Sequence, residues 1–201
     1  MHRYNLLIDA RGRAGDADGA LSLLSTMRRR TGHAPNAWSY TLALHACARA
    51  GDARRALEVI ESKQRAGLSH DPLVHMDSYF LLQACAADQQ LGWAMNLIAE
   101  MRKAGVQPEG WWFTFAIRAC GQRWKEAVRL LEAAKRTAAD GRPEFATYRA
   151  AASVCRHARQ MDAVRAIEAE MSKLGMHKVT ASLRQNPLTA VTPPPGRIFV
   201  P

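Results

Sequence analysis

The chain has 201 residues, 48% hydrophobic and 23% charged, which is the composition of a folded protein and excludes a disordered one. Its 28 Lys and Arg against 18 Asp and Glu give a formal charge of +10, which points to a polyanionic partner, either a nucleic acid or an anionic membrane surface. No window holds the ~18 consecutive apolar residues of a membrane span, and the opening MHRYNLLIDARGRAG reads as folded sequence and not as a secretory leader.

In chain order, the first element begins near Tyr4, in YNLLIDARGRAGDADGAL. A second amphipathic helix follows, with Ala20, Leu23, Leu24 and Met27 on one face. The phrase then returns from Tyr40 as YTLALHACARAGDARRAL, where Tyr40, Ala43, Leu44 and Cys47 fall at i, i+3, i+4 and i+7 of a helix. It returns again at Tyr79, whose following helix carries Ala94, Leu97, Ile98 and Met101. Phe113, with Ala116, Ile117 and Cys120, opens a fourth copy, and Tyr148 opens a fifth. The separations are 36, 39, 34 and 35 residues, a period that means a stack of helical hairpins. Nothing alternates with period two over a strand's length, so the expected fold is all-α. Its units are residues 2–36, 37–75, 76–109, 110–144 and 145–176. The Pro-rich tail, 177–201, is expected to be irregular.

Punctuation agrees. Gly15-Asp16 and Gly51-Asp52 separate paired helices, Gly ending one and Asp capping the next. Gly32, Gly67, Gly105, Gly141 and Gly175 end the second helices, and Pro35, Pro108 and Pro143 follow. Basic residues crowd those ends (Arg28 to Arg30, Lys63, Arg65, Arg102, Lys103, Lys135, Arg136), where attraction to the helix dipole accounts for them without a ligand. Cys47, Cys85, Cys120 and Cys155 sit at near-equivalent places, roughly a helix diameter apart. That is too far for disulfides, so they are expected to be small packing residues. Two irregularities stand out. LSHDPLVHMDSY is longer than its counterparts, and counting back from Cys85 puts the aromatic slot at Ser78 instead of Tyr79. In CGQRWKEAV the turn between helices is about two residues short.

YNLLIDARGRAG, SYTLALHACARAG, TFAIRACGQ and TYRAAASVC, each followed by an Ala-centred helix, resemble the pentatricopeptide repeat family, as does AMNLIAEMRKAGVQPE at a repeat boundary. The tetratricopeptide repeat has a similar period, but its early Trp and Leu-Gly are not matched here. The resemblance implies a right-handed superhelical solenoid of about five helix-turn-helix repeats, whose first helices line a concave groove. That groove would bind single-stranded RNA, about one base per repeat. Base identity would be read by the residue after each aromatic and by the residue that ends the repeat. Those pairs are Asn5 with Asn36, Thr41 with His75, Phe80 (or Tyr79) with Glu109, Thr114 with Glu144, and Arg149 alone. By the same resemblance the Asn pair favours a pyrimidine and the threonines favour purines. Thr114 lies off the stripe of Phe113, Ile117 and Cys120. Trp38 and Trp111, two residues before an aromatic, would stack on bases, and Arg13 and Arg49 would meet phosphates.

Catalytic signatures are missing. None of the seven histidines begins a His-x-Glu, there is no Cys-x-x-Cys, and no Gly-rich phosphate loop or nucleophile constellation occurs. The sequence therefore offers no basis for an enzyme, a cofactor, a metal or a small-molecule substrate. His45 and His70 read as surface or groove residues. The resemblance implies work on organellar transcripts in a chloroplast or mitochondrion. A competing class is a scaffold whose groove takes a peptide or protein partner. A solenoid that opens in mid-phrase is expected to be a fragment of a longer array.

Overall fold

The structure, a computed structural model, describes residues 2–68, 74–103, 109–138 and 141–176. Gly105, Pro108, His70 and the tail from 177 lie outside these residues, as do the side chains of Val74 and His75. Among the described residues there are ten α-helices and no strand. They are α1 (His2–Arg13), α2 (Ala17–Thr31), α3 (Ala37–Ala50), α4 (Ala53–Arg65), α5 (Val74–Ala87), α6 (Leu91–Lys103), α7 (Gly110–Ala119), α8 (Trp124–Thr137), α9 (Phe145–His157) and α10 (Met161–Lys173).

Consecutive helices pair as hairpins, and the odd-numbered helices stack in one layer, α1 on α3, α3 on α5, α5 on α7 and α7 on α9. The helices α2, α4, α6 and α8 each lie between their own partner and the next odd-numbered helix, as α2 does against α1 and α3, while α10 packs on α9. No two even-numbered helices stack to a comparable extent among the described residues. A tight layer joined to a splayed one bends the stack, with the odd-numbered helices on the inner, concave side. Small residues permit this close stacking. A Cβ at Gly12 would stand 3.3 Å from the Cβ of Ala46, and one at Gly51 would stand 3.1 Å from that of Ala87. Long side chains bridge the splayed layer, with Arg55 2.7 Å from Asp18 and Lys135 2.7 Å from Glu170.

Asp16 and Asp52 cap α2 and α4 by accepting from the amides of Gly19 and Arg55 at 2.8 and 2.9 Å. The turns between paired helices need one left-handed residue. Gly15 and Gly51 supply it in the first two repeats, and Gln89 and Arg159 carry it in the third and fifth, with φ of 54° and 57°. In the fourth repeat the missing residues come from the helix and not from the turn, because α7 has 10 residues and ends at Ala119. All four cysteines are buried as free thiols, and burial pushes Cys47 up to about 12 and Cys85 and Cys120 up to about 11.

Candidate nucleic-acid interface

Equivalent hydrogen bonds cross three of the junctions between odd-numbered helices. Ser39 Oγ donates to Asn5 Oδ1 at 2.8 Å, Thr41 Oγ1 donates to Asp77 Oδ1 at 2.6 Å, and the hydroxyls of Thr114 and Thr147 lie 2.9 Å apart. In the first, second and fourth repeats, the residue after the aromatic slot bonds the residue before the next slot. This pattern fixes the register of the third repeat. Asp77 precedes the slot, Ser78 fills it, and Tyr79 takes the place held elsewhere by Asn5, Thr41 and Thr114. The left-handed residue confirms this, since Gln89 lies as far beyond Ser78 as Gly51 lies beyond Tyr40. The assignment of Tyr79 to the slot and of Phe80 to the following position is thereby corrected by one residue. Cys85 had pointed to this register.

A groove of about 280 Å³ runs over the first three repeats. Asn5, Thr41, Trp38, His45, Phe80 and Arg13 are among its lining residues. The rings of His45 and Phe80 lie 5.0 Å apart, and Trp38 is 41% exposed. Burial holds the His45 imidazole below its ordinary value of 6.5, Asp9 opposes that shift, and Arg49 and Arg13 add to it. The trough thus combines aromatic side chains, a polar floor and the Arg13–Asp9 ion pair, features compatible with stacked flat rings.

Comparison with known families identifies the repeat. A pentatricopeptide repeat domain model matches residues 76–123, and a pentatricopeptide repeat model matches residues 4–31 and 38–68, together just over half of the chain. The chain belongs to the pentatricopeptide repeat family. Among solved structures, it is similar to the pentatricopeptide repeat protein PPR10 from maize, with a TM-score of 0.64 and 22% identity over 84% of this chain. It spans 24% of that protein's length. A comparison with curated proteins finds no match.

The residues expected to end the repeats stand at helix N-cap positions, where Asn36 makes a side-chain capping bond and Glu109 and Glu144 do not. Asn36, Glu109 and Glu144 are the N-cap residues of α3, α7 and α9. Asn36 Oδ1 accepts from the Ser39 amide at 2.9 Å and lies 2.8 Å from Ser39 Oγ. Asn5 and Asn36 thus converge on one hydroxyl, whose single proton serves one of them at a time. Thr114 and Glu144 both approach Gly110. Thr114 Oγ1 lies 3.4 Å from its carbonyl, and the Glu144 carboxylate stands 2.8 Å from where a Cβ would project. Thr114 is 3% exposed, so it is a buried residue at the α7–α9 junction and not a free surface one. His75 sits in the first turn of α5.

Other residues stand where the sequence did not put them. Trp111 is 8% exposed and packs on Tyr79, Trp112 and Phe115, so its ring is not an open platform as that of Trp38 is. Lys63 is not a dipole-facing surface cation. It is buried, and its Nζ lies 2.6 Å from Asp77 Oδ2, so Thr41, Asp77 and Lys63 form one buried polar chain. Arg13 pairs with Asp9 at 2.7 Å on the exposed surface, Arg49 is exposed near the end of α3, and Arg149 is exposed with its guanidinium 5.8 Å from the Phe145 ring centroid. Arg118 escaped notice in the sequence. It is exposed one turn beyond Thr114, with its guanidinium 5.9 Å from the Phe115 ring centroid. The i, i+4 spacing from Thr114 was the signal that could have found it.

Proposed function

We propose that this pentatricopeptide repeat chain binds single-stranded RNA in its concave groove, about one base per repeat. It acts without catalysis in the processing, stability or translation of organellar transcripts, by covering RNA or recruiting a partner to it. The observation that carries this reading is the trough over the first three repeats. There Asn5 and Thr41 lie on the floor, Trp38, His45 and Phe80 offer flat faces, and Arg13 is on the rim. The formal charge of +10 is of the sign a phosphate backbone needs. The plastid or mitochondrial setting rests on family habit alone.

The test is selection of RNAs from a random single-stranded pool, followed by affinity measurement over a salt series. Binding should weaken steeply with salt, and Arg13→Ala and Arg49→Ala should each flatten the log–log slope by about 0.7, the value for one phosphate contact on a single strand. Failure to bind RNA at low salt, together with capture of a peptide in the groove, would return the chain to the scaffold class. No described helix is long and apolar enough to cross a membrane.

A further inference from the structure

The junction between the third and fourth repeats differs from its neighbours. Tyr79 takes the place of Asn5 and Thr41 there, and its ring lies 5.4 Å from that of Trp111 and 5.2 Å, edge-on, from that of Phe115. Trp111 lies two residues before its slot, as Trp38 does, yet Trp111 is 8% exposed and Trp38 41%. Trp111 Nε1 donates to Glu109 Oε2 at 2.6 Å, and Glu109 is the residue that ends the third repeat. The three side chains that would frame a base at this repeat are therefore joined to one another. Trp112 holds the place that Ser39, Asp77 and Thr147 hold at the other junctions. It is fully buried, and its Nε1 has no hydrogen-bond partner among the described residues. The polar bond found at the other three junctions is replaced by an aromatic stack.

We propose that the third repeat is a built-in spacer, its base niche filled by Tyr79, Trp111 and Glu109. An RNA on this groove then carries one nucleotide of any identity between the base met by the second repeat and the base met by the fourth. This inference rests on the RNA-binding reading above. The plug resists displacement because clearing it exposes two buried rings and breaks the Trp111–Glu109 hydrogen bond, whereas an entering base stacks on one face only. An occupied niche passes the backbone without reading its base, so selectivity is gapped and not merely weaker.

The experiment aligns RNAs selected from a random pool and measures single-base substitutions in the winning sequence. The expected motif has informative positions on both sides of one uninformative position. Substitution at that spacer should change affinity by less than about twofold, against about fivefold at its neighbours, the equilibrium factor of one net hydrogen bond. The double variant Tyr79→Thr, Trp111→Met places at this junction the residue types of Thr41 and Met76. If circular dichroism and melting show it folded, the spacer should become informative. A contiguous motif from the parent chain overturns the inference, as does a folded double variant that leaves the spacer uninformative. If the double variant does not fold, the parent motif decides alone. RNA binding with no base preference anywhere removes the spacer and leaves RNA binding standing. No RNA binding at all removes both.

Discussion

At the residue scale, the groove floor is made of side chains that already hold one another. Thr114→Asn should be accommodated, because Asn5 occupies the equivalent place and accepts from Ser39, just as the introduced amide oxygen could accept from Thr147. We expect that variant to move preference at one RNA position from purine towards pyrimidine by ~1 kcal/mol, as read by random-pool selection. An unchanged motif would show that the fourth repeat reads nothing. The buried Lys63–Asp77 pair gives a second test. Lys63→Ala leaves an uncompensated charge beside Thr41 and should cost ~3–5 kcal/mol in urea unfolding. The double replacement Lys63→Met, Asp77→Ser copies Met27 and Ser39 of the preceding junction and should be neutral to stabilising. His45 gives a third. Its folded value lies below 6.5, so the unfolded chain takes the proton first. The stability it contributes is present above that value and is lost as pH falls below it. Melting temperature should drop over that window, and His45→Gln should flatten the drop.

At the element scale, helix boundaries follow from local chemistry. Gly51 ends α3 with φ of 70° and faces Ala87. Gly51→Ala should destabilise by at least ~1–2 kcal/mol in thermal or urea unfolding, the cost of a left-handed non-glycine residue, with crowding against Ala87 added. Gln89 and Arg159 bear that cost already. The boundaries were legible because caps and glycines act within a few residues. The shortening of α7 was not, since a two-residue deficit can be taken from a turn or from the helix before it, and only the stacking of α7 on α5 and α9 decides which.

At the scale of the whole molecule, each repeat leans only on its neighbours, so protection should follow position. Amides of α3, α5 and α7 have odd-numbered helices stacked on both sides and should exchange slowest, while those of α1 and α10 should exchange first. Hydrogen exchange resolved by fragment would read this directly. Uniform protection from end to end would instead mean a stack that opens only as one unit.

Spacing along the chain is enough to establish the all-α solenoid and its period, the pairing of helices and the packing role of the cysteines, while the family is carried by the residue phrases that recur at that spacing. A 35-residue recurrence of aromatic, Cys and Ala positions has few other physical solutions. The family resemblance implied groove positions for Asn5, Thr41, Thr114 and Trp38, and the trough over the first three repeats is lined by Asn5, Thr41 and Trp38. What those residues touch emerges only when the repeats are stacked. Ser78 rather than Tyr79 holds the slot because Asp77 must meet Thr41 across the junction, a contact 36 residues apart in sequence. Trp38 and Trp111 share a place in the repeat, yet one is open and the other buried, because Tyr79 and Glu109 close over the second. Lys63 looks like any basic residue at a helix end until Asp77 arrives from the next helix to pair with it. A residue's spacing fixes the face it occupies, and only the neighbouring repeat fixes whether that face is free.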